Sequence, residues 1–301
     1  MKKRSAFANL ASLIAVSIFG LLASSPALAS QPVKFKQLNH LVIIPVLING
    51  AGPFDFIFDT GASSTVIDHE LAKQLEAPII GSTTVITAAG SKVASRYSLN
   101  TLSAGPKSVE NLTVLSTEMR EIRSINSKIR GILGQDFLSR FNYILNYRER
   151  RIEFEVDHEL ETQLSGARLT VERDRGRMLI EARPSSSSKD SARLVIDSGA
   201  SSVVVFGDWR ESGFDMEIDL SGMKGMVNVS GIVGSQVVRT GAIQKLQIGE
   251  EKFTNLAVRI GQSRKTVESR AENGLLPASL FRVIYFNSRK SFVILNPRFA
   301  R

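Results

Sequence analysis

Two short segments of the chain carry the same residue types in the same order: an aspartate, a hydroxyl residue, a glycine and an alanine. Asp59-Thr60-Gly61-Ala62 follows the apolar triplet Phe56-Ile57-Phe58, and Asp197-Ser198-Gly199-Ala200 follows Leu194-Val195-Ile196. If the two loops meet, carboxylates about 3 Å apart cannot both ionise, so one keeps its proton. Such a pair supplies a base that activates a water and an acid that protonates a carbonyl oxygen or leaving group. The predicted chemistry is hydrolysis by a bound water.

A single Asp-Thr/Ser-Gly segment is weak evidence, because aspartate, serine and glycine are ordinary turn residues. The evidence is stronger here because the segments belong to an internal repeat. The aspartates recur at an offset of 138 residues, Gly90-Ser91 recurs as Gly234-Ser235 at 144, and Gly131-Ile132-Leu133 recurs as Gly274-Leu275-Leu276 at 143. The repeat predicts two similar lobes that present their aspartates to each other.

The elements that must position these loops read mostly as strands. Short β-branched or aromatic runs lie close to Gly, Pro, Asn or Ser residues, and helical periodicity is scarce. We predict strands that include Leu41–Ile48, Phe54–Phe58, Val203–Phe206 and Phe292–Leu295, and a short helix that Asp68 would N-cap. The fold class is therefore mostly β. We predict an N-terminal lobe at residues 30–158, a polar joint at 159–166 and a C-terminal lobe at 167–301.

With these motifs the chain resembles the retropepsin-like and pepsin-like aspartic peptidases over nearly all of residues 30–301. Gly131-Ile132-Leu133-Gly134 matches the hydrophobic-hydrophobic-glycine motif of that family, which packs under the catalytic loop. The resemblance implies two β-barrel lobes related by a pseudo-twofold axis, a cleft between them and a dyad of Asp59 and Asp197. It also implies an aspartic endopeptidase that needs no cofactor or metal. Because both lobes lie in one chain, a monomer should suffice.

The resemblance further implies supporting and substrate-binding residues. Thr60, Gly61, Ser198 and Gly199 would support the catalytic loops. Hairpin flaps would bind extended polypeptide through Ala89 and Gly90 in the first lobe and Gly234 in the second, although an ordinary hairpin turn explains these residues equally well. Pro277 stands where the family has a glycine in the second lobe. Proline lacks an N–H and fixes φ, so this substitution puts the support of Asp197 in doubt.

The first 29 residues have the layout of a cleavable signal peptide. Lys2, Lys3 and Arg4 precede an apolar stretch, and Ala27-Leu28-Ala29 is an A-x-A cleavage site. We therefore expect a periplasmic or secreted protein with no stable membrane insertion after cleavage. The chain has no cysteine, which excludes disulfides and thiolate chemistry. Its net charge of +9 includes the three basic residues of this leader and shows no basic stripe, so we expect no nucleic-acid partner.

Three hypotheses for function follow from the sequence. The first is a peptidase that cuts extended polypeptide with apolar residues beside the scissile bond. It should act at mildly acidic to neutral pH, because Ala62 and Ala200 lack a hydroxyl that could stabilise a carboxylate. The second is a catalytically silent, peptidase-like module that binds a peptide or a protein. The third is a structural β-rich protein whose repeated turns are coincidental.

Overall fold

The computed structural model describes residues 31–87, 90–155, 159–184, 191–206, 218–219, 226–231, 234–261 and 271–299. Over these residues the protein is mostly β, as the sequence predicts. The predicted signal peptide at residues 1–29 lies outside them. No helix among the described residues is long and apolar enough to cross a membrane.

Eleven strands precede residue 155, and the predicted strand at Leu41–Ile48 is confirmed. They are β1 (Val33–Lys34), β2 (Lys36–Leu38), β3 (Leu41–Ile48), β4 (Ala51–Phe58), β5 (Val66–Asp68), β6 (Ile79–Thr87), β7 (Gly90–Ala104), β8 (Lys107–Thr117), β9 (Ile129–Leu133), β10 (Tyr143–Asn146) and β11 (Arg151–Phe154). β4 begins at Ala51 rather than at Phe54. Asn49 and Gly50 both have positive φ, so a two-residue turn is enough to join it to β3.

The strands after residue 163 include the predicted Phe292–Leu295. They are β12 (Leu164–Ser165), β13 (Arg168–Thr170), β14 (Glu172–Asp174), β15 (Arg177–Ala182), β16 (Ala192–Asp197), β17 (Val203–Val205), β18 (Ile218–Asp219), β19 (Met226–Gly231), β20 (Gly234–Ile248), β21 (Glu251–Ile260), β22 (Gly274–Pro277), β23 (Val283–Asn287), β24 (Phe292–Leu295) and β25 (Arg298–Phe299). β12 and β25 pair with each other. β12 and a short helix lie within the predicted joint at 159–166.

The described helices are short. They are α1 (His69–Gln74), α2 (Arg120–Ile125), α3 (Gln135–Leu138) and α4 (Glu159–Gln163), together with a 3-10 turn at Ala278–Leu280. Asp68 does precede α1, but its carboxylate makes no capping hydrogen bond. It lies 3.4 Å from both Arg123 and Arg130. The charged stretch 118–130 contains α2 and buries Met119 and Ile122.

The two largest sheets have corresponding strand orders. The first runs β2-β3-β4-β9-β5-β8-β7-β6, and the second runs β14-β15-β16-β22-β17-β21-β20-β18, with β19 also paired to β20. Each aspartate strand pairs in parallel with the strand of the glycine motif: Phe58 lies opposite Leu133, and Ile196 lies opposite Leu276. Both aspartates thus lie at the end of a buried strand in the middle of a sheet.

A six-stranded sheet joins the two parts of the chain, in the order β1-β11-β10-β23-β24-β13. At its centre β10 and β23 pair antiparallel, with Tyr143 opposite Phe286 and Asn146 opposite Val283. The rings of Tyr143 and Phe286 stack with their centroids 4.8 Å apart. These side chains belong to one apolar core that contains residues from both halves of the chain.

Candidate active site

The two aspartate loops meet through Thr60 and Ser198, both of which are buried. The Thr60 amide donates to the Ser198 hydroxyl at 3.0 Å, and the Ser198 amide donates to the Thr60 hydroxyl at 2.9 Å. Each hydroxyl then donates to a carbonyl oxygen of the opposite strand. Thr60 Oγ1 lies 2.7 Å from Ile196 O, and Ser198 Oγ lies 2.7 Å from Phe58 O. The hydroxyl residues thereby fix the two loops relative to each other.

Gly61 and Gly199 leave the space in which the two carboxyl groups come together. A Cβ on Gly61 would lie 2.6 Å from Asp197 Oδ2, which is closer than real Cβ atoms approach. A Cβ on Gly199 would lie 3.0 Å from Asp59 Oδ2, a tight but less severe contact. Each glycine therefore faces the carboxyl group of the opposite loop, and Gly61 tolerates a side chain least.

Backbone amides hold both carboxyl groups in place. Asp59 Oδ1 accepts from the amides of Gly61 at 2.8 Å and Ala62 at 3.1 Å, and Asp197 Oδ1 accepts from Gly199 at 2.7 Å. Burial raises the pKa of Asp59 above its usual range, although these amides oppose the shift. Burial also raises the pKa of Asp197, and the charge of Asp59 raises it further. The two groups share a hydrogen bond, so they titrate as a pair.

The structure adds a buried residue, Gln135, that no motif of the sequence singles out. Gln135 Nε2 donates to Thr60 O at 2.9 Å, and its amide donates to Ala62 O at 2.8 Å. Its side chain also hydrogen-bonds Tyr143 in the six-stranded sheet. Gln135 thus connects the first aspartate loop to the sheet that both halves share. Its place directly after the glycine motif is the one signal that sequence reasoning could have used.

A further set of hydrogen bonds among Thr65, Gly134 and Asp136, here called the brace, supports the first aspartate loop. Asp136 accepts from the Thr65 amide at 2.7 Å and from the Thr65 hydroxyl at 2.6 Å. The Gly134 amide in turn donates to Thr65 Oγ1 at 3.1 Å. Burial is the main cause of the raised pKa of Asp136, which these hydrogen bonds oppose. The brace ties the glycine motif to the segment that follows Asp59.

The second loop lacks this brace. By the repeat, Val203 stands in the place of Thr65, Pro277 in that of Gly134 and Ser279 in that of Asp136. Val203 and Pro277 are buried, and Pro277 pairs with Asp197 in the parallel register. In the first loop the Gly134 amide donates to the Thr65 hydroxyl. In the second loop Pro277 has no such amide and Val203 has no such hydroxyl, so the substitution leaves no donor or acceptor of this brace unpaired. The doubt that the sequence raised about Pro277 is therefore reduced.

Two of the three predicted flap residues, Gly90 and Gly234, lie in paired strands. Gly90 begins β7 and pairs with Thr87 of β6, and Gly234 begins β20 and pairs with Gly231 of β19. Ala89 lies outside the described residues. The pairing places Gly90 and Gly234 at matching hairpin turns, and their binding of substrate stays a prediction.

No group of three or more His, Asp or Glu side chains within the described ranges is arranged to hold a metal ion. Comparison with known families gives one match: a family model described as "Aspartyl protease" covers residues 44–137. The matched segment contains Asp59-Thr60-Gly61, Thr65 and Gly134 to Asp136. No curated protein matches the chain.

Proposed function

We propose that this chain, a member of the retropepsin-like aspartyl protease family through residues 44–137, is an aspartic endopeptidase that hydrolyses polypeptide. One observation carries the proposal: the reciprocal hydrogen bonds of Thr60 and Ser198 hold the Asp59 and Asp197 loops together across two separate sheets. A turn with only a structural role does not require the carboxyl group of a second aspartate beside that of the first. Burying two adjacent carboxyl groups is costly, and it is typical of a catalytic pair.

The proposed architecture is a pair of barrel-like lobes related by a pseudo-twofold axis. The corresponding strand orders of the two large sheets support it. The central pairing of β10 with β23 supports it too. Tyr143-Ile144 matches Val283-Ile284 at an offset of 140, and the same offset relates Asn146 to Phe286. The repeat therefore maps the Tyr143–Phe286 pair onto the Asn146–Val283 pair. Such an axis would pass between the two aspartate loops, and the cleft would lie above them.

In the proposed mechanism one carboxyl group of the pair is ionised and the other is protonated. The ionised group takes a proton from a water held between them, and the oxygen of that water attacks the peptide carbonyl carbon. The protonated group donates to the carbonyl oxygen. The carboxyl group that took the water proton then gives it to the leaving nitrogen as the C–N bond breaks, and the other carboxylate takes back a proton from a hydroxyl of the tetrahedral intermediate. Because water is the nucleophile, no covalent enzyme intermediate forms. Amides of Gly61, Ala62 and Gly199 keep the two carboxyl groups oriented throughout.

The test is incubation of the purified protein with an unfolded polypeptide at several acidic and neutral pH values, with fragments identified by mass spectrometry. We expect internal cleavage that a statine-type inhibitor, a mimic of the tetrahedral intermediate, blocks. Peptide binding without cleavage at any pH would instead support the silent binding module. A protein that neither binds nor cleaves the polypeptide would overturn both proposals.

We further propose export to the periplasm or the medium, removal of residues 1–29 and action as a monomer. The basic, apolar and A-x-A segments of the leader support export. N-terminal sequencing of protein recovered from the exported fraction should begin at Ser30. An intact Met1 on that protein would contradict cleavage.

A further inference from the structure

Leu115 and Arg259 occupy equivalent places beside the two aspartate loops. Val66 and Val204 lie equally far along the chain from Asp59 and Asp197. Val66 pairs in parallel with Leu115, and Val204 pairs in parallel with Arg259. One lobe therefore has an aliphatic side chain at this position, and the other has a cation.

The surroundings of Leu115 are apolar. Leu115 and Ala62 pack against a cluster of buried residues that includes Ile57, Val66 and Ile132. Ala62 donates its amide to the Asp59 carboxylate, so this cluster adjoins the first half of the dyad. A substrate side chain on the Asp59 side would meet a hydrocarbon wall.

The surroundings of Arg259 are polar. Arg259 Nη1 donates to Ser201 Oγ at 2.8 Å, and Ser201 is an exposed residue of the second aspartate loop. His40, from the turn between β2 and β3, hydrogen-bonds the backbone of Gly199 in the same loop. Burial chiefly lowers the pKa of His40, and the nearby charge of Arg259 lowers it further. The guanidinium group thus lies close to both the loop and the imidazole.

The charge of Arg259 has no carboxylate to neutralise it within the described ranges. Its recorded side-chain partner there is the neutral Ser201 hydroxyl. Arg259 is partly exposed, so its remaining N–H groups can reach a ligand. A guanidinium binds a carboxylate through charge-assisted and often bidentate hydrogen bonds, whereas a leucine at this place would favour an aliphatic group.

We propose that the subsite beside Asp197 binds an acidic side chain of the substrate through Arg259, while the subsite beside Asp59 binds an apolar one. The inference rests on the proposed peptidase function and specifies its substrate class. It replaces the expectation that apolar residues flank the scissile bond on both sides. His40 borders this subsite from the opposite lobe. Its imidazole can donate an N–H to an acidic side chain, and it carries no negative charge that would repel that side chain.

The test uses matched peptides built around a cleavage site in the unfolded polypeptide, with Glu, Gln or Leu at each position flanking the bond. We expect the wild type to prefer Glu over Gln at one position by a ratio of kcat/KM on the order of tenfold. Arg259→Leu should abolish that ratio and raise the preference for Leu at the same position. Arg193→Leu, at an exposed arginine of this lobe that pairs with Glu172, should keep the wild-type ratio and serves as the matched control.

Cleavage with equal kcat/KM for Glu and Gln at every position would overturn the inference and leave the proposed function intact. Absence of cleavage of any peptide would instead overturn the proposed function. The Glu and Gln peptides would then be compared by fluorescence anisotropy with wild type and Arg259→Leu. Tighter binding of the Glu peptide that is lost in the variant would support the subsite, and equal binding would contradict it.

Discussion

Thr60 and Ser198 each donate their backbone amide to the hydroxyl of the other, at 3.0 and 2.9 Å. The pair sits between two sheets whose strands come from different halves of the chain. Because each hydroxyl also donates to the opposite strand, neither hydroxyl can be removed without leaving groups of the other loop unpaired. This relationship fixes the spacing of Asp59 and Asp197, which flank it in the sequence.

Thr60→Val should lower the free energy of unfolding by about 1–3 kcal/mol, because it leaves the buried Ser198 amide and the Ile196 carbonyl without partners. Ser198→Ala should cost a similar amount. Since the two hydroxyls belong to one hydrogen-bond network that joins the loops, their effects should not add in a double-mutant cycle. Urea denaturation measures this, and Thr60→Ser, which keeps the hydroxyl, is the control. Additive losses would show that the two residues do not act together.

Gly61→Ala should abolish cleavage, and Gly199→Ala should reduce it less. The methyl group at 61 would overlap the Asp197 carboxyl group, whereas the one at 199 would meet Asp59 Oδ2 at 3.0 Å. The comparison requires kcat/KM for both variants and circular dichroism to show that both remain folded. The reverse order of activities would mean that the carboxyl groups are not arranged as described.

Activity should be greatest at mildly acidic to neutral pH. The active form of the pair carries one proton. Because the pKa values of Asp59 and Asp197 are raised, this form is populated at a higher pH than the pKa of an ordinary aspartate, which is about 3.9. The rate should fall at strongly acidic pH as the base is protonated, and fall again as the second proton is lost. Ala62→Ser should move the acidic limb to lower pH, since a hydroxyl can stabilise the ionised form. A wild-type optimum at strongly acidic pH would contradict this assignment.

Thr65→Val and Val203→Thr form a matched pair that tests the two different supports of the loops. Thr65→Val should destabilise the fold by about 1–3 kcal/mol, because Asp136 and the Gly134 amide lose a buried partner. Val203→Thr should also destabilise it, since Pro277 offers the new hydroxyl no N–H. Thermal unfolding measures both changes. A stabilising effect of Val203→Thr would show that the second lobe has a polar partner at this site.

The strands and both aspartate loops could be predicted because their signals are local. Leu41–Ile48 and Phe292–Leu295 are continuous apolar runs, and the Asp-Thr/Ser-Gly segments recur within a repeat. The burial of Met119 and Ile122 could not be predicted, because charged residues surround them along the stretch 118–130. Charge density along a sequence reflects the exposed face of a helix and not the face that it buries.

Apart from the meeting of the two aspartate loops, contacts between distant residues could not be predicted. Asp136 meets Thr65 across 71 residues, and Gln135 meets Thr60 across 75. Nothing in the local sequence of β10 or β23 shows that Tyr143 lies opposite Phe286 in a shared sheet. These contacts follow from the packing of whole elements, and they decide how the aspartate loops are supported.

The most direct test of the central claim is kcat/KM for polypeptide cleavage by wild type, Asp59→Asn and Asp197→Asn, with folding checked by circular dichroism. If the two carboxyl groups share one proton and act together, each variant should stay folded. Each should also lose activity on the order of 10³-fold, because asparagine can serve neither as the base nor as the acid. Full activity in either variant would contradict the account.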